Sequence, residues 1–177
     1  MLQFFLVFVG ITLFVNGIRI CYAYSDDSSQ HIGLKDAAAV NAFTALLGII
    51  LLTVQVVNSS QTGSSLAPTA YMGLFVLTYF WLALNAFTQS DGKAFGWFSL
   101  MVPFVGIPVA YFTYQQATTV FDYWMVFSWL AWSLLWFMFF LLLSRNVAIG
   151  KLTGAMTAIQ GVTTAFVPAI LWFWGFI

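Results

Sequence analysis

Asn16, Asn85, Gln160, Thr78 and Thr164 are polar side chains set inside long apolar runs, and Tyr79, Trp81, Trp129, Trp132 and Trp136 offer flat aromatic faces among them. Carboxamides and hydroxyls donate and accept hydrogen bonds without carrying charge. Their spacing is helical. Val9, Leu13 and Asn16 form one set; Thr78, Trp81 and Asn85 a second; Trp129, Trp132 and Trp136 a third; Thr157, Gln160 and Thr164 a fourth. Steps of three or four residues place each set along one helix face. Such faces suit a small, neutral, planar solute bearing both N–H and C=O groups, a description that fits urea and short amides. They oppose ions, whose dehydration costs more than neutral dipoles return. Two plainer roles compete. Asn16 and Asn85 serve equally well as hydrogen-bonding glue between helices. From spacing alone, the tryptophan stripe reads as belt or packing before pore lining, and Trp97, Trp124, Trp172 and Trp174 near helix ends are better belt candidates.

What the chain lacks narrows the chemistry further. It contains no Glu, and its only His is His31. No Asp, Lys, Arg or His falls in the middle of an apolar run; Arg19 and Asp122 lie near the ends of theirs. Proton-coupled transporters place such groups inside the membrane, so coupling to protons is disfavoured. A Ser-His-Asp site would have to use His31, with no nucleophile motif beside it, and no enzyme or cofactor is implied. A metal site needs three or four ligands; the Asp26, Asp27, His31 cluster reads as a solvated loop first. Cys21 is alone and reads as a small buried residue, not a reactive thiol.

The elements that must carry these faces are membrane-spanning helices. The chain has 177 residues, of which 62% are hydrophobic and 6% charged, far from the quarter charged that soluble domains carry. A spanning helix needs about 20 apolar residues, and hydropathy predicts six, at about 2–24, 37–57, 70–89, 95–114, 121–144 and 153–175. Together they consume the chain as one domain over residues 1–177. The fold class is all-α membrane protein. Short loops predict three antiparallel helical hairpins, with a loose repeat between them. Pro103, Pro108 and Pro168 should kink their helices and free carbonyls. Gly48, Gly106, Gly154 and Gly161 read as packing positions.

The five basic residues share one side of this ladder. Arg19 and Lys35 flank the first loop, Lys93 sits in the third, and Arg145 and Lys151 bracket the fifth. The positive-inside rule then makes the odd loops cytoplasmic and both termini external. Scattered singly, these charges give no nucleic-acid footprint.

The sequence resembles the urea/amide channel family (AmiS/UreI). The resemblance rests on FVGITLFVNGI at 8–18, LTYFWLALN at 77–85, DGKAFGWFSL at 91–100, WLAWSLLWF at 129–137 and QGVTTAFVPA at 160–169. It implies three helical hairpins around a pore in each protomer, a homo-hexameric ring in a bacterial cytoplasmic membrane, and passive inward conduction of urea or short-chain amides to a cytosolic urease or amidase. It implies that Val9, Leu13, Trp81, Leu135 and Trp136 form the narrow parts of the pathway, and that Asn16, Asn85, Trp129 and Trp132 belong to its lining. The acid-activated member of the family carries long titratable external loops. Here the second and fourth loops hold no charged residue and no His, so acid gating is not expected. Gln160 stands where that member has a glutamate. The competing reading is an ion-coupled secondary transporter of small amides.

Overall fold

The computed structural model describes residues 1–25, 28–88 and 90–177. Asp26 and Asp27 of the loop cluster lie outside the described residues. Six helices are long and apolar enough to cross a membrane: α1 Leu2–Ala23, α2 Leu34–Thr62, α3 Ala67–Thr88, α4 Lys93–Gln116, α5 Val120–Leu143 and α6 Gly150–Phe173. At 22 residues the shortest spans about 33 Å, enough for a hydrocarbon core of about 30 Å. A 3-10 turn at Ser28–Gln30 adds the only other regular element among the described residues, and no strand occurs there.

Helix α2 runs past the point where its apolar character stops. Asn58–Thr62 stay helical although polar, with Ser60 Oγ donating to the Val57 carbonyl at 2.7 Å and Thr62 Oγ1 to the Asn58 carbonyl at 2.9 Å. Gly63, at φ 67°, then ends the helix with its N–H on the Ser59 carbonyl, a left-handed cap that glycine adopts freely. Hydropathy marks where a helix leaves lipid, not where it stops. Pro103 and Pro108 both lie inside a continuous α4.

The helices pack in three pairs, which are only partly the sequential hairpins. α2 lies along α3 and α4 along α5, each pair joined by a short uncharged loop; the third pair is α1 with α6, the first and last helices. Neighbours α1/α2, α3/α4 and α5/α6 touch far less and serve to join the pairs into a closed ring. Glycines explain the α1/α6 pairing. A Cβ at Gly10 would strike the backbone of Phe166 and Gly161, one at Gly17 the backbone of Ala158, and one at Gly154 the backbone of Cys21. Gly10 and Gly17 are seven residues apart, as are Gly154 and Gly161, so matched small faces meet antiparallel and the two backbones close up.

α6 changes register midway. Gly150–Gln160 is α-helical, Gly161–Phe166 is π-helical, and Val167–Phe173 returns to α. The Val167 N–H bonds the Val162 carbonyl, five residues back. The next residue, Pro168, has no N–H to give. The carbonyls it would have served are capped from α5: Trp124 Nε1 donates to the Thr163 carbonyl at 2.9 Å and Ser128 Oγ to the Thr164 carbonyl at 3.1 Å. The freed carbonyls thus stitch two helices together.

Candidate functional site: a vestibule at one end of the bundle

A cavity of about 470 Å³ opens at the end of the bundle that carries the first and third loops. Its mouth is formed by Tyr24 and Leu34 near the first loop and by Ser90, Asp91 and Gly92 of the third. Its walls come from α1, α2, α3 and α5, with Thr157 of α6 and Phe95 of α4, and they are mainly apolar. Its inner limit is Leu13, Phe75, Trp132, Leu135 and Trp136. Beyond that limit the bundle is filled: Phe5, Leu6, Val9, Met72, Val76 and Trp129 are all buried in one apolar cluster.

Of the residues singled out from spacing, Leu13, Asn16, Thr78, Tyr79, Asn85, Trp132, Leu135 and Trp136 border this cavity. Val9, Trp81, Trp129, Gln160 and Thr164 do not. Val9 is fully buried in the filled half. Trp81 packs on α4, its ring 5.9 Å from those of Phe95 and Phe98. Trp129 turns toward Tyr71 and Phe75, at 6.1 and 5.8 Å. Thr164 stands behind the wall and fixes it: Trp132 Nε1 donates to Thr164 Oγ1 at 2.7 Å, and Thr164 Oγ1 donates on to the Gln160 carbonyl at 2.6 Å. The Gln160 side-chain Oε1 is buried and has no hydrogen-bond partner.

Phe75, absent from the sequence reading, is the pivot of the inner wall. Its ring lies 4.8 Å from both Trp132 and Trp136, edge to face, an arrangement worth about 0.5–1.5 kcal/mol per pair beyond the area buried. The other missed residue is Asn41. It forms a reciprocal amide pair with Asn16, each Nδ2 donating to the other's Oδ1 at 2.9 Å, and its Nδ2 also reaches the Ala37 carbonyl at 2.7 Å. Thr12 and Thr44, one turn away, share a hydroxyl contact of 2.7 Å. The glue reading of Asn16 is therefore correct, and the pair also borders the vestibule. Replacing either Asn by Ala is expected to cost about 1 kcal/mol or more, and the double replacement less than the sum by about 0.6–1.7 kcal/mol. A double-mutant cycle on thermal unfolding in detergent checks this; strictly additive losses would refute a coupled pair.

Among the neutral polar groups inside the mouth, three behave differently. The Asn85 amide, the Tyr79 hydroxyl and the Trp136 indole N–H border the cavity, and the hydrogen bonds among the described residues involve none of them. A hydrogen-bonding group facing a cavity with no protein partner is available to whatever occupies the cavity.

Comparison with known proteins shows the family and the fold. The AmiS/UreI family transporter model matches residues 1–176. A putative amidate substrates transporter protein of Mycolicibacterium smegmatis is 33% identical over 94% of this chain and 73% of its own. The acid-activated urea channel of Helicobacter pylori (strain ATCC 700392 / 26695) is 30% identical over 98% of this chain and 97% of its own. The crystal structure of the urea channel from that human gastric pathogen superposes with a TM-score of 0.84 at 29% identity, covering 98% of this chain and 97% of the other. The protein is a multi-pass protein of the bacterial inner membrane and acts in transport, not as an enzyme. The chain belongs to the AmiS/UreI family.

Proposed function

We propose that the protein is a passive channel for urea and short-chain amides, open irrespective of external pH, with both termini outside and the vestibule facing the cytoplasm. The observation that carries the reading is the set of neutral groups on the vestibule wall with no hydrogen-bond partner among the described residues: Asn85, Tyr79 and Trp136 in a mainly apolar surround. A planar amide can offer its carbonyl to the hydroxyl and indole N–H and its N–H to the Asn85 carbonyl, while its flat face lies on the aromatic wall. Few hydrogen bonds, all from neutral groups at this part of the wall, keep occupancy brief, as conduction requires. Relatives named for urea and for amidates support both solutes as candidates. Assembly as a homo-hexamer, and delivery to a cytosolic urease or amidase, complete the proposal. Lipid covers the exposed apolar faces, such as Phe104 and Phe112 of α4.

Acid gating has little to act on at the external end. The loops at 63–66 and 117–119 contain no charged residue and no His. The acid nearest that end, Asp122, is engaged in a cap, its carboxylate accepting from the N–H groups of Thr118 at 3.0 Å and Thr119 at 2.9 Å. The alignment with the acid-activated channel runs 204 positions against a chain of 177 residues, so the relative has segments that this chain lacks. At the inner mouth, Asp91 is held below the usual carboxylate range by the Lys93 backbone N–H and then by the Lys93 side chain. A carboxyl so lowered stays ionised through the ordinary carboxylate range and loses its charge only at still lower pH, so Asp91 keeps its charge between pH 7.4 and 5. Stopped-flow light scattering on proteoliposomes is expected to show urea or acetamide flux that changes less than about two-fold between external pH 7.4 and 5. A several-fold rise at pH 5 would contradict the ungated reading. Accumulation against a gradient, abolished by an uncoupler, would replace the channel by an ion-coupled transporter.

A further inference from the structure

We propose that the vestibule also holds a binding site for a small carboxylate, centred on Arg19. Four of the five basic residues, Lys35, Lys93, Arg145 and Lys151, are exposed. Arg19 alone is half-buried, and it borders the cavity. Among the described residues it makes no ion pair and no hydrogen bond. A guanidinium with no ion-pair partner among the described residues, in a mainly apolar cavity, carries a desolvation cost that a mobile anion can offset.

The surroundings favour a carboxylate over other anions. Asp91 is the one acid on the cavity wall among the described residues, and it is engaged elsewhere: its Oδ1 accepts from the Lys93 N–H at 3.0 Å and its Oδ2 lies 3.4 Å from Lys93 Nζ. The Tyr79 hydroxyl and Trp136 N–H add donors with no acceptor among the described residues. The planar guanidinium fork matches a carboxylate in bidentate fashion, and the apolar wall accepts a short alkyl group. A short carboxylate has the shape of a short amide with the nitrogen replaced by a second oxygen. The physiological consequence rests on the channel reading above: hydrolysis of an amide on the vestibule side releases such a carboxylate, which would then occupy the inner mouth and slow further entry. The same guanidinium could instead snorkel to a lipid phosphate, and the test separates the two anion sources.

The test is titration of the full-length protein in nanodiscs with sodium acetate or propionate at constant ionic strength. It is read by intrinsic fluorescence, since Trp132 and Trp136 border the cavity. A saturable change is expected for the carboxylates and not for methylammonium. Arg19→Gln should weaken it about ten-fold or more, and Arg19→Lys, which keeps the charge and loses the fork, by a few-fold. No saturable response in the wild-type protein, or an equal response in Arg19→Gln, overturns the site. An equal response with and without phosphatidylglycerol supports a solute site; a response lost when phosphatidylglycerol is present assigns Arg19 to the headgroup and overturns it. In proteoliposomes, acetate block is read as the ratio of flux with and without acetate in each protein. Flux without an acetate response sinks the anion site and spares the channel; a carboxylate titration without any flux does the reverse.

Discussion

Gly17→Val is expected to destroy the six-helix bundle. The Cβ added at this position would sit on the main-chain nitrogen and Cα of Ala158, atoms that no rotamer change can move. Ordinary overpacking of a core costs about 1–3 kcal/mol because side chains can yield. Here two helix backbones would have to separate, which places the cost at about 3 kcal/mol or more. The damage would spread, because Gly10, Gly154 and Gly161 use the same close approach. Moving α1 would also disturb its two polar links to α2, Thr12–Thr44 and Asn16–Asn41. Thermal unfolding followed by size-exclusion chromatography in detergent should show an aggregated or absent main species. Gly73→Ala is the control: its new Cβ would meet only Leu52 Cδ1, at 4.0 Å, and it should behave as wild type. A Gly17→Val protein with an unchanged melting temperature would remove the backbone contact as the basis of the α1/α6 pair.

That contact also shows where the sequence stops being readable. The six spans were legible because each is a run of apolar residues of bilayer length, and their loops are punctuated by turn residues. The partner of α1 was not. Gly10 and Gly17 announce a small face, as do Gly154 and Gly161, but nothing local says that these two faces meet across the whole chain rather than each finding its sequence neighbour. The site divides along the same line. Leu13, Asn16, Thr78, Tyr79, Asn85, Trp132, Leu135 and Trp136 share one cavity, as helical spacing within α1, α3 and α5 allows. Spacing fixes the face of a helix and leaves its neighbour open, so Trp81 could not be told apart from them although it turns to α4. Asn41 and Thr44 are three residues apart on one face of α2, but their meaning comes from Asn16 and Thr12, 25 and 32 residues earlier. Phe75 did leave a signal, three and four residues before Thr78 and Tyr79, but a phenylalanine among so many is silent until its ring is seen against three tryptophans.

Trp136→Ala is expected to change which solutes pass. Trp136 forms the inner limit of the vestibule with Leu135 and rests on Phe75. Removing the indole enlarges the place where a solute must leave the wide mouth for the filled half of the bundle. Discrimination by an apolar wall is worth a factor of about 10 or more for each extra methylene, so the ratio of acetamide or propionamide flux to urea flux should rise by about ten-fold. An unchanged ratio would take Trp136 out of the filter. Phenylalanine substitutions then separate size from hydrogen bonding. The Trp136 N–H has no acceptor among the described residues, whereas the Trp132 N–H is already given to Thr164 at 2.7 Å inside the wall. Trp136→Phe should therefore keep the size ratio and lower urea flux a few-fold, since about 0.5–1.5 kcal/mol of hydrogen bonding to the solute is lost. Trp132→Phe should instead strand the Thr164 hydroxyl oxygen and lower stability by about 1–3 kcal/mol. The two tryptophans lie one helical turn apart on the same wall, so a common phenotype would mean that neither indole N–H meets the solute. Opposite phenotypes, flux for Trp136 and stability for Trp132, would place the solute's carbonyl on the Trp136 side of the vestibule.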